Sequence, residues 1–167
     1  DRLRVTNDRL LIALDKLNEL QPAVKHRHQG IFGSRRTAVQ VLIEPDSEEM
    51  HQQTALKKRL LRFFPFHFCR RAQTTGTKAI LQNQILISDR SPFRVSRKHC
   101  IIDTVGDSVF IEDKTSQLGT VVNGIPIGGN SQETRVKLIH GSNTLVLGGQ
   151  DSHVRFRLDV SVPDQAV

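Results

Sequence analysis

PFRVSRKHCIIDTVGDSVFIED, residues 92–113, joins a cation-rich turn to two runs of period two. His99–Thr104 (HCIIDT) and Ser108–Asp113 (SVFIED) alternate apolar and polar residues, as strands with one buried face do. Gly106-Asp107 separates them as a turn signal. Ahead of the pair, Arg94 to His99 holds a hydroxyl, three cations and a histidine within six residues. A serine hydroxyl flanked by Arg and Lys suits a tetrahedral anion, because Arg offers a planar fork and the hydroxyl one more donor. Beyond the pair, Ser116-Gln117-Leu118-Gly119-Thr120-Val121-Val122-Asn123-Gly124 has a turn's composition, with Gly119 and Gly124 free to take positive φ. Both segments adjoin apolar runs, so they read as loops held on a rigid sheet. The pattern points to a phosphate-reading binding module and away from an enzyme.

The same period continues outward. Ala38–Ile43 reads as a strand, and so do 64–69, 84–88, 119–123, 134–139, 143–147 and 154–161. Turn signals fall between them at Thr75-Gly76, Gly128-Gly129, Gly141-Ser142 and Gly148-Gly149. Many short strands at near-regular spacing imply an all-β antiparallel sandwich. One stretch breaks the period. Ser47 offers an N-cap with Glu48 and Glu49 in the first turn, and Met50, Leu56, Leu60 and Leu61 follow at helical spacing. The spacing predicts an inserted helix over 47–62, ending before Pro65.

Before the sandwich, residues 1–22 read as a helix, with Leu3, Leu10 and Leu17 every seven residues. It is a coiled-coil end that could join two copies as a homodimer, or a helix that packs on its own domain; fewer than three heptads leave both open. Residues 23–37 form a basic linker with Lys25, His26, Arg27, His28, Arg35 and Arg36, and 163–167 a tail. His26 and His28 have no further ligand at fitting spacing, so no metal and no cofactor is expected. The domain proper is 38–162.

Composition agrees with a globular module. Of 167 residues 37 % are hydrophobic and 25 % charged, and the formal charge is +7, which favours anionic partners. There is no Trp or Tyr; four of the eight Phe (Phe63, Phe64, Phe66, Phe68) lie together and are expected in the core. Cys69 and Cys100 make neither a disulfide framework nor a zinc pattern and read as buried reduced thiols. No run reaches the roughly 18 apolar residues of a membrane span, and no signal peptide is visible. The expected setting is cytoplasmic, or nuclear in a eukaryotic cell. The chain begins at Asp1 and reads as a fragment of a larger signalling protein.

These motifs, in this order, resemble the forkhead-associated (FHA) domain. The family's Gly-Arg pair at a strand end is matched by Cys69-Arg70, and its Ser-Arg-x-His by Ser96-Arg97-Lys98-His99. Its Asp-x-Gly-Ser-x-Asn-Gly-Thr-x-x-Asn-Gly run is matched by Asp113 to Gly124, and a distal Leu-Gly pattern by Leu138 to Gly141 and Leu145 to Gly148. The resemblance implies an eleven-stranded β-sandwich that binds phosphothreonine peptides through loops at one end. It implies that Arg70, Ser96, Arg97 and Gln117 hold the phosphate. It places Arg94, Leu118 and Lys98 on the peptide side, with Arg94 adding a preference for an acidic ligand residue. It makes His99, Gly119, Thr120 and Asn123 structural supports of the loops. Two positions depart from the pattern: Cys69 stands for Gly, and Leu118 for the Asn that bonds the ligand backbone. An apolar Leu118 there is expected to select a hydrophobic residue near the phosphothreonine.

Three other readings compete with this one. The same fold could serve phosphorylation-independent association, which Leu118 and the N-terminal helix favour. Nucleic-acid binding would use the acid-free stretch 51–88, but aromatics to stack bases are lacking. Catalysis would need a base-orienting carboxylate beside Ser96, and its neighbours are cations.

Overall fold

The computed structural model describes residues 39–72 and 80–162. The expected N-terminal helix, basic linker and tail lie outside the described residues. Among those described, twelve strands and one helix follow in order: β1 (Gln40–Pro45), α1 (Glu48–Thr54), β2 (Arg59–Leu61), β3 (Phe66–Arg70), β4 (Ile80–Leu81), β5 (Gln84–Ile87), β6 (Cys100–Val105), β7 (Ser108–Asp113), β8 (Thr120–Val122), β9 (Ile125–Ile127), β10 (Arg135–Lys137), β11 (Gly141–Leu147) and β12 (Arg155–Ser161). They form two six-stranded sheets, β2-β1-β12-β11-β8-β9 and β10-β7-β6-β3-β5-β4. All pairs are antiparallel except β3 and β5, which run parallel.

Alternation decides which residues meet between the sheets. In β7 Val109, Ile111 and Asp113 are buried, and in β12 Phe156, Leu158 and Val160. The two inner faces touch where Phe68 of β3 lies 5.4 Å from Phe156 of β12, ring centre to ring centre. Ile43, Ile85, Ile102, Leu145 and Leu147 fill the space around them and are fully buried. Each such side chain contributes about 1.5–3 kcal/mol relative to exposure.

The inserted helix is shorter than its pattern predicts. Ser47 caps it, its Oγ accepting from the Met50 amide at 3.3 Å, and Met50 is its one buried residue. The helix ends at Thr54, and Ala55 takes φ 50. Arg59–Leu61 then forms β2 against β1, pairing Leu61 with Val41 and Arg59 with Ile43. Edge pairing and burial of Leu61 outweigh the helical spacing of Leu56, Leu60 and Leu61. The phenylalanine cluster also splits. Phe66 and Phe68 are core, Phe64 is half-buried and Phe63 is 47 % exposed, because the chain bends at Pro65 before strand alternation begins. Cys100 is buried, but Cys69 points to the opposite face of its strand and is only half-buried. Burial pushes both thiols up, away from the reactive thiolate.

Candidate functional site

Strand direction brings three connections to one end of the sandwich: 88–99 between β5 and β6, 114–119 between β7 and β8, and 148–154 between β11 and β12. The first is organised by Asp89. Its Oδ1 accepts from the Arg90 amide at 2.8 Å, and its Oδ2 from the Arg94 and Val95 amides at 2.7 and 2.8 Å. The residue before it is held from α1. The Gln53 side chain donates to the Ser88 carbonyl at 2.9 Å and accepts from the Ser88 amide at 3.0 Å. A helix inserted thirty-five residues earlier therefore braces the base of this loop.

His99 ties the first loop to the second. It is fully buried. Nδ1 accepts from the Ser96 amide at 3.0 Å, and Nε2 lies 3.0 Å from the Gly119 carbonyl, which can only accept. The ring is thus the neutral Nε2–H form. Burial holds its pKa below the ordinary histidine value, against the opposing pull of the Gly119 bond, Asp113 and Asp89. Neither ring nitrogen is bonded to the Ser96 hydroxyl, so the pair lacks the nucleophile–base contact that hydrolytic serines use.

A second buried group, Asp113, folds the 114–119 loop. Its carboxylate accepts from the Ser116 amide and hydroxyl at 2.8 and 2.5 Å, and from the Thr120 hydroxyl at 2.7 Å. Ser116 Oγ in turn accepts from the Gly119 amide at 3.0 Å. Gly128, at φ +66, lies directly over this carboxylate. A Cβ there would sit 2.0 Å from Asp113 Cγ, so no side chain fits. The third loop joins through Gly148, whose amide donates to the Gly119 carbonyl at 3.0 Å. A Cβ on Gly148 would meet the Arg94 carbonyl at 2.6 Å.

Ser96 sits where these ties converge. Its amide is spent on His99, and its carbonyl accepts from the Arg70 amide at 3.1 Å. Its Oγ accepts from the Gln117 amide at 3.0 Å. That leaves the hydroxyl proton as a donor with no protein acceptor among the described residues. Beside it, the Arg70 guanidinium lies 3.8 Å over the Phe93 ring and donates to the Val95 carbonyl at 3.3 Å. This holds the fork in place while leaving most of its donors free. Arg97 and Gln117 are exposed, and their side chains have no partner among the described residues. Leu118 is 48 % and Phe93 39 % exposed at the same end.

Three expected site residues are placed otherwise. Lys98 lines a cavity of about 570 Å³ with His67, Cys69, Gln84 and Lys114, on the outer face of the β6-β3-β5 sheet. Asn123 supports a different connection. It sits past the far end of β8, its Nδ2 donating to Asn143 Oδ1 at 2.8 Å and its Oδ1 accepting from the Thr144 amide at 2.9 Å. Arg94 is engaged by Asp151, at 3.1 and 3.5 Å, and by the Gly148 carbonyl at 3.3 Å. Thr120 and Gly119 bond within the loops, to the Asp113 carboxylate and to His99. Asp89, Asp113, Ser116 and Phe93 complete the site and were not singled out from sequence. The Asp113–Ser116 spacing, which allows a side-chain-closed turn, is the signal that could have found two of them.

Among the described residues no three His, Cys, Asp or Glu side chains are grouped to hold a metal ion. No helix among them is long and apolar enough to cross a membrane.

Residues 74–148 match the family model of the FHA domain. Comparison with curated proteins finds no match. Similar solved structures include the FHA domain of an Arabidopsis thaliana hypothetical protein (18 % identity, 83 % of this chain and 98 % of that one, TM-score 0.49). Another is the FHA domain of the CT664 protein from Chlamydia trachomatis (21 % identity, 76 % and 99 %, TM-score 0.46). A third is the N-terminal FHA domain of S. cerevisiae Rad53p in complex with a phosphothreonine peptide (17 % identity, 75 % and 93 %, TM-score 0.45). The matched stretch contains Arg97 and the residues that tie the two loops together, Ser96, His99, Asp113 and Gly119.

Proposed function

We propose that this chain binds phosphothreonine-bearing segments of other proteins and so makes their association depend on phosphorylation. The observation that supports it most is Ser96. Every backbone group of that residue and its hydroxyl acceptor are committed to loop bonds, and its O–H donor is unspent, with Arg97 next in sequence and the Arg70 amide bonded to the Ser96 carbonyl. A hydroxyl and two guanidinium groups match a dianionic phosphate with three acceptor oxygens. Phe93 and Leu118 supply an apolar rim for the ligand residues around the threonine.

The test is titration of the purified chain with one peptide in three forms: phosphothreonine, phosphoserine and unphosphorylated. The expected result is binding of the phosphothreonine form, weaker binding of phosphoserine, and none of the bare peptide. Equal affinity for phosphorylated and bare forms would move the reading to phosphorylation-independent association through the Phe93–Leu118 rim.

A further inference from the structure

The cations at the ligand-binding end are not equivalent. Arg70 is held by a ring face and a carbonyl, and Arg97 is exposed with no acid beside it among the described residues. Of these three arginines, Arg94 is the one matched with a carboxylate. Asp151, on the 148–154 loop, presents its carboxylate to both terminal nitrogens of the Arg94 guanidinium, 3.1 Å from one and 3.5 Å from the other. The partners are unequally placed: the Arg94 side chain is 40 % exposed and that of Asp151 82 %. Arg94 is also fixed from beneath. Its amide bonds Asp89, and Nη1 reaches the Gly148 carbonyl. The guanidinium is therefore held by the loop independently of Asp151, and the carboxylate occupies both of its terminal nitrogens.

We infer that Asp151 is a specificity-determining residue: it occupies Arg94, so that acidic ligand residues flanking the phosphothreonine gain no attraction from that guanidinium. The inference rests on the phosphothreonine-binding reading. The chemistry is competition between two carboxylates for one fork. The intramolecular one is always present, and a ligand carboxylate gains nothing by displacing it. The direct bond to Arg94 draws the Asp151 carboxyl below its ordinary value, and the Arg94 charge and His153 act in the same direction. The carboxylate is thus ionised wherever the protein is folded at neutral pH. The phosphate is left to Arg70, Ser96 and Arg97, and acidic flanking residues are met by a neutralised rim.

The test uses two phosphothreonine peptides that differ only in flanking residues, Asp in one and Asn in the other. Their affinity ratio is measured for the wild type, Asp151→Asn and the double variant Asp151→Asn with Arg94→Gln. The wild type is expected to show a ratio near one. Asp151→Asn should shift it toward the acidic peptide by about two- to fivefold at low salt, the scale of an exposed ion pair. The shift should vanish in the double variant and shrink at high salt. Binding of both peptides with the same ratio in wild type and Asp151→Asn overturns the inference and leaves the phosphothreonine reading standing. A wild type that already prefers the acidic peptide overturns it too. Failure of wild type and Asp151→Asn to distinguish either phosphopeptide from its bare form overturns the phosphothreonine reading itself, and the inference with it.

Discussion

A fully buried polar side chain braces the loops at each end of the sandwich, and the two braces work differently. At the end that carries Ser96 it is His99, which bonds Ser96 and Gly119. At the opposite end it is Asn143. Its Oδ1 accepts from Asn123 Nδ2 and the Ile139 amide at 2.8 and 2.9 Å, and its Nδ2 donates to the Ile139 and Gly141 carbonyls at 2.8 and 3.0 Å. Asn143 is saturated, and the loops it holds show solvent a mixture of apolar and polar side chains, Ile125 and Ile139 beside Asn123, His140 and Ser142. His99 closes its loops while leaving donors unspent above it, on Ser96, Arg70 and Arg97. A brace that completes every bond makes a turn. One that fixes the backbone and leaves side chains unmatched makes a receptor.

The largest effect that could break this contrast comes from removing each brace. Asn143→Ala leaves several buried donors and acceptors unpaired and should cost about 2–4 kcal/mol of stability. Affinity of the folded fraction for a phosphothreonine peptide should not change. His99→Ala should cost stability and affinity together. Thermal melts with peptide titrations below the melting point read both quantities, and equal affinity losses in the two variants would remove the distinction.

Arg70→Ala comes next. It should weaken a phosphothreonine ligand by about 1.5–3 kcal/mol, the value of charge-assisted hydrogen bonds. Ile139→Ala at the other end should change affinity by nothing measurable. A matching loss from Ile139→Ala would mean that ligand contacts extend over both ends.

The braces differ in titration as well. Burial depresses the pKa of His99, so the native state holds it neutral while the unfolded chain takes up a proton near the ordinary histidine value of about 6.5. Above that value its contribution is complete. As pH falls below it the unfolded state binds the proton first, and stability declines by at most about 1.4 kcal/mol per unit for one proton. Asn143 has no such dependence. An NMR titration of the imidazole decides it, and a His99 that titrates at or above the ordinary value would erase the contrast.

The smallest expected effect sharpens the ligand end alone. Leu118→Asn should add a backbone hydrogen bond worth about 1 kcal/mol and relax selection for an apolar ligand residue. An unchanged peptide profile would place Leu118 outside the contact surface.

Long strands that bury one face were legible in the sequence. β7 and β12 alternate over six and seven residues, and only one register hides their apolar side. β2, β4 and β9 have two or three residues, too few for any period, and are strands only because a neighbour pairs with them. The same pairing ended α1 at Thr54, where local spacing ran on. In the site, Ser96, His99, Gly119 and Thr120 could be read because their roles follow from neighbours within one motif. Asp151 against Arg94 and Gln53 against Ser88 are separated by 57 and 35 residues. No local pattern announces a contact at that distance, and Phe93 takes its meaning only from the strand that delivers Arg70 to it.

The Gln53–Ser88 pairing has a consequence for transplantation. A primary amide that both donates to and accepts from one backbone residue acts as a strand of unit length, so the loop starts from an edge that its own sheet does not provide. Residues 88–99 are therefore not a portable unit. Grafted onto a sandwich without the helix, they would lose the anchor at their first residue and arrive with Ser96 unplaced. Carried over with residues 47–54, they bring their own foundation.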